Sequence, residues 1–168
     1  LEDNPNHNKS AVLLGVILYS QGDIAGAQEY LSGNVDPEVN SKKLTQLYAL
    51  TQLKLDQSAD VLAMLDTIID SETSIETLAL YAIAAIKQQT FEKAKKVIDR
   101  ALIIKPKSAK LATILSLYYE SIIPAQNEKS LEVLSNALKF SPANTILQMA
   151  YTKKLMALEK IEEADQYI

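Results

Sequence analysis

The chain has no cysteine, one histidine and one arginine, and only four glycines and five prolines in 168 residues. Without cysteine it holds no disulfide and no thiolate metal site, although that absence leaves the compartment open. The one histidine, His7, stands in NPNHN with Asp3 the only nearby acid, which is no convergent ligand set. It reads as a solvated turn residue. Ser20, Ser121 and Ser130 have no histidine in their pattern, so no nucleophile–base pair is argued for them. Arg100 alone among 17 basic residues, with a net charge of −4, gives neither the basic footprint of a nucleic-acid binder nor a guanidinium clamp for phosphate. The longest apolar run, residues 11–19, is nine long, whereas a membrane span needs about 20. It is not a signal peptide either, because polar LEDNPNHNKS precedes it and no small-residue cleavage site follows. Gly22 is a lone turn glycine, not a phosphate loop.

What is plentiful is Leu, Ala, Lys, Glu and Gln, which favours helix. No segment alternates with period two over a useful length, so no strand is expected. Residues 75–108 set the pattern. A helix carrying Leu78, Tyr81, Ala82 and Ile86 is followed by a polar break at Gln88–Gln89–Thr90. A second helix carries Phe91, Ala94, Ile98 and Ala101, and Pro106 ends it. Such a hairpin has two apolar sides and needs neighbours. Copies are present. One small residue per first helix falls at Gly15, Ala49, Ala82, Ser116 and Thr152. One per second helix falls at Ala27, Val61, Ala94, Ser130 and Ala164, with steps of 33, 34 or 36 throughout. A two-residue insertion in the turn 122–128 accounts for the steps of 36.

Helices are therefore predicted over 11–21, 24–32, 39–55, 58–69, 109–121, 129–140, 145–158 and 161–168, besides the pair in 75–108. NPNHN reads as the turn closing an earlier helix, which Pro5 cannot continue, with Asn8 or Ser10 capping the next. The chain starts at Leu1 and stops at Ile168 in mid-pattern, and is read as a fragment of a longer protein. Ala94 is placed at a helix crossing and Ala84 off it. Leu14, Leu31, Leu115 and Leu134 are expected to fill the layers.

LLG at 13–15, QGD at 21–23 with Ala27 and Leu31, and FEKA at 91–94 with Ala101 and Pro106 resemble the tetratricopeptide repeat, a helix–turn–helix unit of period 34. The resemblance implies an all-α, right-handed α-solenoid of about five hairpins, with repeats at 8–41, 42–74, 75–108, 109–144 and a truncated 145–168, as one domain over 1–168. The family's bulky aromatic early in each first helix is replaced by Ala11, Thr45, Leu78 and Ala112. NPNHNKSAVLLGVILYSQGDIAGAQEYL and LTQLYALTQLKLDQ resemble more narrowly the repeats of bacterial tetratricopeptide lipoproteins of the PEP-CTERM/exosortase system. That likeness implies export, an upstream lipidated cysteine and an exopolysaccharide setting, hence a periplasmic or outer-membrane-anchored place. Without it the chain is a cytoplasmic adaptor.

In this family first helices line a concave groove. The matching residues are Val12, Val16 and Tyr19; Gln46, Leu50 and Leu53; Ala79, Ile83 and Ile86; Thr113, Leu117 and Glu120. The family's carboxylate clamp of Lys and Asn is not matched, since Val12 and Val16 stand in the early places. The groove is apolar in its first three repeats, and a large exposed apolar patch marks a binding surface. The expected function is a non-enzymatic module that binds a protein or peptide, without cofactor or metal, and that self-associates end to end. The alternative is a structural spacer whose groove is filled by its own repeats. Asp66 and Asp70, one turn apart, read as a solvated face rather than an acid–base pair. Lys93, Lys95 and Lys96, interleaved with Glu92 and Asp99, read as a charge-laced helix surface.

Overall fold

The caps show why the helices stop and start where they do. Asp23 accepts a hydrogen bond from the Gly26 amide at 2.9 Å, Ser41 from Leu44, Ser108 from Leu111, and Asn144 from Leu147. These are the side-chain oxygens expected to satisfy first-turn donors. In the computed structural model, residues 5–165 are described, with side chains from Asn8 onward. The described elements are all helices: α1 (Pro5–Gln21), α2 (Ile24–Leu31), α3 (Lys42–Lys54), α4 (Ser58–Asp66), α5 (Ile75–Lys87), α6 (Phe91–Ile104), α7 (Ala109–Ser121), α8 (Asn127–Phe140), α9 (Thr145–Ala157) and α10 (Ile161–Ala164). The chain is all-α, as expected. It divides into two compact units, Leu1–Ala84 and Ala85–Ile168.

Several boundaries differ from the sequence reading, most clearly the starts of α1 and α3 and the end of α4. Helix α1 begins at Pro5, so residues 5–8 are helical rather than a turn. Proline suits the first helical position, where its missing N–H has no intrahelical partner to lose. The side chain of His7 lies outside the described residues. Helix α3 begins at Lys42 rather than 39, because Asp36 and Asn40 fold the preceding loop on itself. The Asp36 amide donates to Asn40 Oδ1 at 2.6 Å, and the Glu38 amide to Asp36 Oδ1 at 2.8 Å. Helix α4 ends at Asp66 rather than 69, and turns occupy 67–71.

One turn recurs. The Asp23 amide donates to Leu18 O, Gln57 to Gln52 O, Thr90 to Ala85 O and Lys160 to Leu155 O, all at 2.9–3.0 Å. The residue before each donor has positive φ: Gly22 at 87°, Asp56 at 57°, Gln89 at 56° and Glu159 at 58°. This is the left-handed helix stop in which an amide reaches back five residues. Glycine occupies it once, and the other three turns hold it with an ordinary side chain. In the fourth turn the Gln126 amide reaches Tyr119 O at 2.8 Å. That bond spans seven residues instead of five, so the two-residue insertion sits where the spacing placed it.

The register holds inside each unit. Gly15, Ala49, Ala82, Ser116, Ala27, Val61, Ala94, Ser130 and Ala164 are buried, and Thr152 is half-buried. A Cβ on Gly15 would stand 2.8 Å from Leu31 Cγ and 3.3 Å from Ala27 O, so only glycine lets α1 lie this close to α2. Thr45, Leu78 and Ala112, where the family's aromatic is missing, are buried as that position requires. In unit 1 the core joins Ala27, Leu31 and Tyr48 with Val12, Leu18 and Leu44. In unit 2 it joins Leu131, Leu134, Leu138, Leu147, Tyr151 and Leu155. Two placements are corrected. Leu14 is exposed rather than a layer filler, and Ala84 is as fully buried as Ala94. One side of α1 is left open and one side of α5 is covered, and periodicity alone does not locate either.

Candidate functional site

The first helices of unit 1 stand side by side, with α3 in the middle. Lys54 Nζ lies 5.3 Å over the Tyr19 ring, tying α3 to α1. Gln46 Nε2 donates to Ser74 Oγ at 2.9 Å and Thr77 Oγ1 at 3.0 Å, tying α3 to the start of α5. Between these ties the stripe positions emerge. Val16 and Leu50 are each 37% exposed, and Ile83 is half-buried. Val12, Tyr19 and Gln46 are half-buried. Leu53 and Ala79 are buried, and so is Ile86 at the start of unit 2. Little surface of these three is open to a partner. They stand three or four residues from a stripe position, on the same side of the helix, and packing covers them there. The apolar strip is narrower than the sequence implied.

In unit 2, Leu117 is 40% exposed, and half-buried Thr113 donates to its own Ala109 O at 3.1 Å. Glu120 belongs to a network that the sequence did not reveal. The Ser116 and Ser130 hydroxyls meet at 2.7 Å at the α7–α8 crossing. Glu120 Oε1 accepts from Ser130 Oγ at 2.8 Å and from Ser116 Oγ at 3.3 Å. Lys154 Nζ lies 3.3 Å from the same oxygen and donates to Asn127 Oδ1 at 2.7 Å. Both serines and Lys154 are buried. Closed off from solvent, this serine–glutamate–lysine cluster fastens helices α7, α8 and α9. Its one sequence signal was serine at two positions where the other repeats carry mostly Gly, Ala or Val.

No family model matches the chain, and no curated protein matches it. Solved structures do. A tetratricopeptide-repeat protein from Parabacteroides merdae superposes with a TM-score of 0.80 at 16% identity over 98% of this chain. A thermophilic tetratricopeptide-repeat protein of Thermus thermophilus gives 0.76 at 19% identity, covering 95% of this chain and 87% of its own. MamA of Desulfovibrio magneticus gives 0.70 at 15%, covering 96% and 90%. The fold is the tetratricopeptide-repeat solenoid. This chain spans 64% of the length of the Parabacteroides protein.

On that solenoid fold the charges are unevenly placed. Residues 1–84 carry four lysines, no arginine and twelve acids, a net −8. All four lysines, Lys9, Lys42, Lys43 and Lys54, lie on α1 and α3, which have no acid. Residues 85–168 carry thirteen basic residues and nine acids, a net +4. Helices α1 and α3 thus carry apolar and cationic side chains within an acidic half, whereas α5 carries Glu76 in its first turn. A polar cavity of about 490 Å³ also opens in unit 1, lined by Lys42, Thr45, Ser71, Glu72 and Thr77 among others. Glu72 Oε1 accepts from Lys42 Nζ at 2.7 Å and from the Thr73 and Ser74 amides at 2.6 and 2.7 Å. Burial pushes this carboxyl up, but the Lys42 hydrogen bond and the two amides together hold it below the usual carboxylate value. Its donors come from its own loop and α3, so it locks the entry to α5. Asp66 accepts from the buried Tyr81 phenol, which burial first and Asp66 second push up. The Asp66/Asp70 face is therefore a tie to α5 and not only a solvated surface. Lys95 pairs with Asp99 at 2.6 Å, as a charge-laced helix surface does. Among the described residues no cluster of His, Asp and Glu has the makings of a metal site, and no helix is long and apolar enough to cross a membrane.

Proposed function

We propose that the protein is a non-enzymatic interaction module whose first-helix face in unit 1 takes a helical or extended segment of a partner protein. The observation that carries this reading is the pairing of exposed Val16 and Leu50 with Lys43 and Lys54 on helices that have no acid. Apolar anchors within a cationic rim suit a segment with an apolar body and an acidic end. Ile83 continues the strip, and Leu117 is the equivalent position in unit 2. The test uses an amphipathic peptide with leucines on one face and a glutamate-rich end, labelled with fluorescein. Leu50→Lys and Ile83→Lys are expected to weaken its binding by about tenfold or more while leaving the helical circular dichroism intact. Unchanged binding in both variants would sink the reading.

A structural spacer is the second reading. It is favoured by the burial of Leu53, Ala79 and Ile86 and by the engagement of Gln46 with its own neighbours. A spacer leaves the peptide unbound at any salt concentration. End-to-end association through exposed Leu13 and Ile17 on α1 and Ile146 and Met149 on α9 belongs to the same proposal. Sedimentation that shows only monomer at high concentration removes it. The exported, lipid-anchored and exopolysaccharide-linked setting rests on the repeat phrases of residues 4–31 and 44–57. It stands or falls with a signal peptide and lipidated cysteine upstream of Leu1.

A further inference from the structure

Unit 2 holds an apolar cleft that the first-helix reading does not use. It lies between the C-terminal ends of α6 and α8 over the first half of α7, with a volume of about 190 Å³. Its walls include Leu102, Pro106, Ala112, Leu115, Val133 and Phe140. A cavity of roughly 150 Å³ accommodates a benzene-sized group, so the cleft holds one aromatic or branched side chain. Phe140 at its edge is 59% exposed. Single exposed apolar residues need no explanation, but an aromatic edge around an open apolar cavity is a different surface.

The rim is cationic. Lys107 Nζ stands 4.6 Å over the Phe140 ring. Lys105, Lys107, Lys110 and Lys139 are exposed. Residues 101–119 contain three lysines and no acid, and no lining residue is acidic. Glu132, two turns before Phe140 on α8, is not among those lining residues. Within a half of net +4, the cleft combines a one-side-chain pocket with an acid-free rim. A flat lysine-rich face would suit a membrane. A pocket of this depth suits a protruding side chain.

We infer that this cleft is a docking site for a segment of a partner protein that carries one large apolar side chain flanked by aspartates or glutamates. The apolar group fills the pocket against Phe140 and Leu115. The flanking carboxylates face Lys105, Lys107 and Lys139, which sets orientation and speeds encounter. No residue of this cleft belongs to the Val16–Leu50 strip, so either proposal can fail without the other.

The experiment measures fluorescence anisotropy of a short fluorescein-labelled peptide, phenylalanine flanked by glutamates, against the whole chain. Control peptides replace phenylalanine with alanine, or the glutamates with lysine. Binding to the acidic phenylalanine peptide is expected, weaker by about tenfold or more for either control peptide and for Phe140→Ala and Lys107→Glu. Added salt should weaken it further, and Leu50→Lys should leave it unchanged. Phe140 is exposed, so its variant folds, which circular dichroism confirms. The proposal is overturned by no binding, by equal binding of the lysine peptide, or by indifference to both variants. Two other results replace the occupant and also overturn it. One is a dimer that Phe140→Ala abolishes. The other is binding to phosphatidylglycerol vesicles with none to the peptide.

Discussion

At the crossing of α1 and α2, Gly15 stands against the Leu31 side chain and the Ala27 carbonyl. At the crossing of α7 and α8, Ser116 and Ser130 share a buried hydrogen bond and draw in Glu120 and Lys154. The register is the same and the chemistry is opposite. What the crossing requires is small volume, because the helix axes cannot approach over a larger side chain. Polarity is accommodated at Ser116 and Ser130, where the hydroxyls find partners. The charge contrast, net −8 against +4, teaches the same point at the surface. The repeat fixes which faces are covered and leaves the sign of the exposed faces free to differ.

The largest expected effect tests whether volume governs both crossings. Ala27→Leu should cost about 1–3 kcal/mol by overpacking. Ser130→Leu should cost that and a further 1–3 kcal/mol or so, because the Ser116 hydroxyl loses its buried partner. Denaturant unfolding reads both, and equal midpoints would break the contrast. Next is Ser130→Ala, expected to cost about 1 kcal/mol. The double variant Ser116→Ala/Ser130→Ala should cost less than the sum of its singles, since it rebuilds the apolar crossing of unit 1. A strictly additive result would mean that the two hydroxyls are not coupled.

The third effect separates the units by pH. The Glu72 carboxyl is held low in the folded state. Its stabilisation is therefore present above the ordinary unfolded carboxylate pKa of about 4.3 and is lost as pH falls through the folded value. Glu72→Gln should flatten that acid limb in thermal melts taken from neutral pH downward. An unchanged acid limb would show that Glu72 is not what locks α5. The smallest effect concerns the recurring turn. Gln89→Gly is expected to stabilise by about 0.5–1 kcal/mol, because φ of 56° favours glycine. Asp56→Gly should gain less, since aspartate tolerates that conformation better. A melting temperature lowered by Gln89→Gly would show that its side chain contributes more than its backbone strains.

Helix content, the period, the small residue at each crossing and the inserted pair in the fourth turn were all legible in the sequence. They depend on residues within one hairpin, and a helical period reports faithfully on near neighbours. Helix α7 was placed to the residue at 109–121. The left-handed turns at Asp56 and Gln89 were not legible, because nothing in a non-glycine side chain announces that conformation. The strip around Val16, Leu50 and Ile83 was only half legible. The stepping of 34 and 33 identified the positions, but the burial of Leu53, Ala79 and Ile86 was set by packing against other helices. The Ser116–Glu120–Lys154 cluster, the Glu72 lock and the cleft beside Phe140 belong wholly to the tertiary structure. Each joins residues from separate segments of the chain, and a one-dimensional pattern fixes which way a side chain points along its own helix, not what stands opposite it.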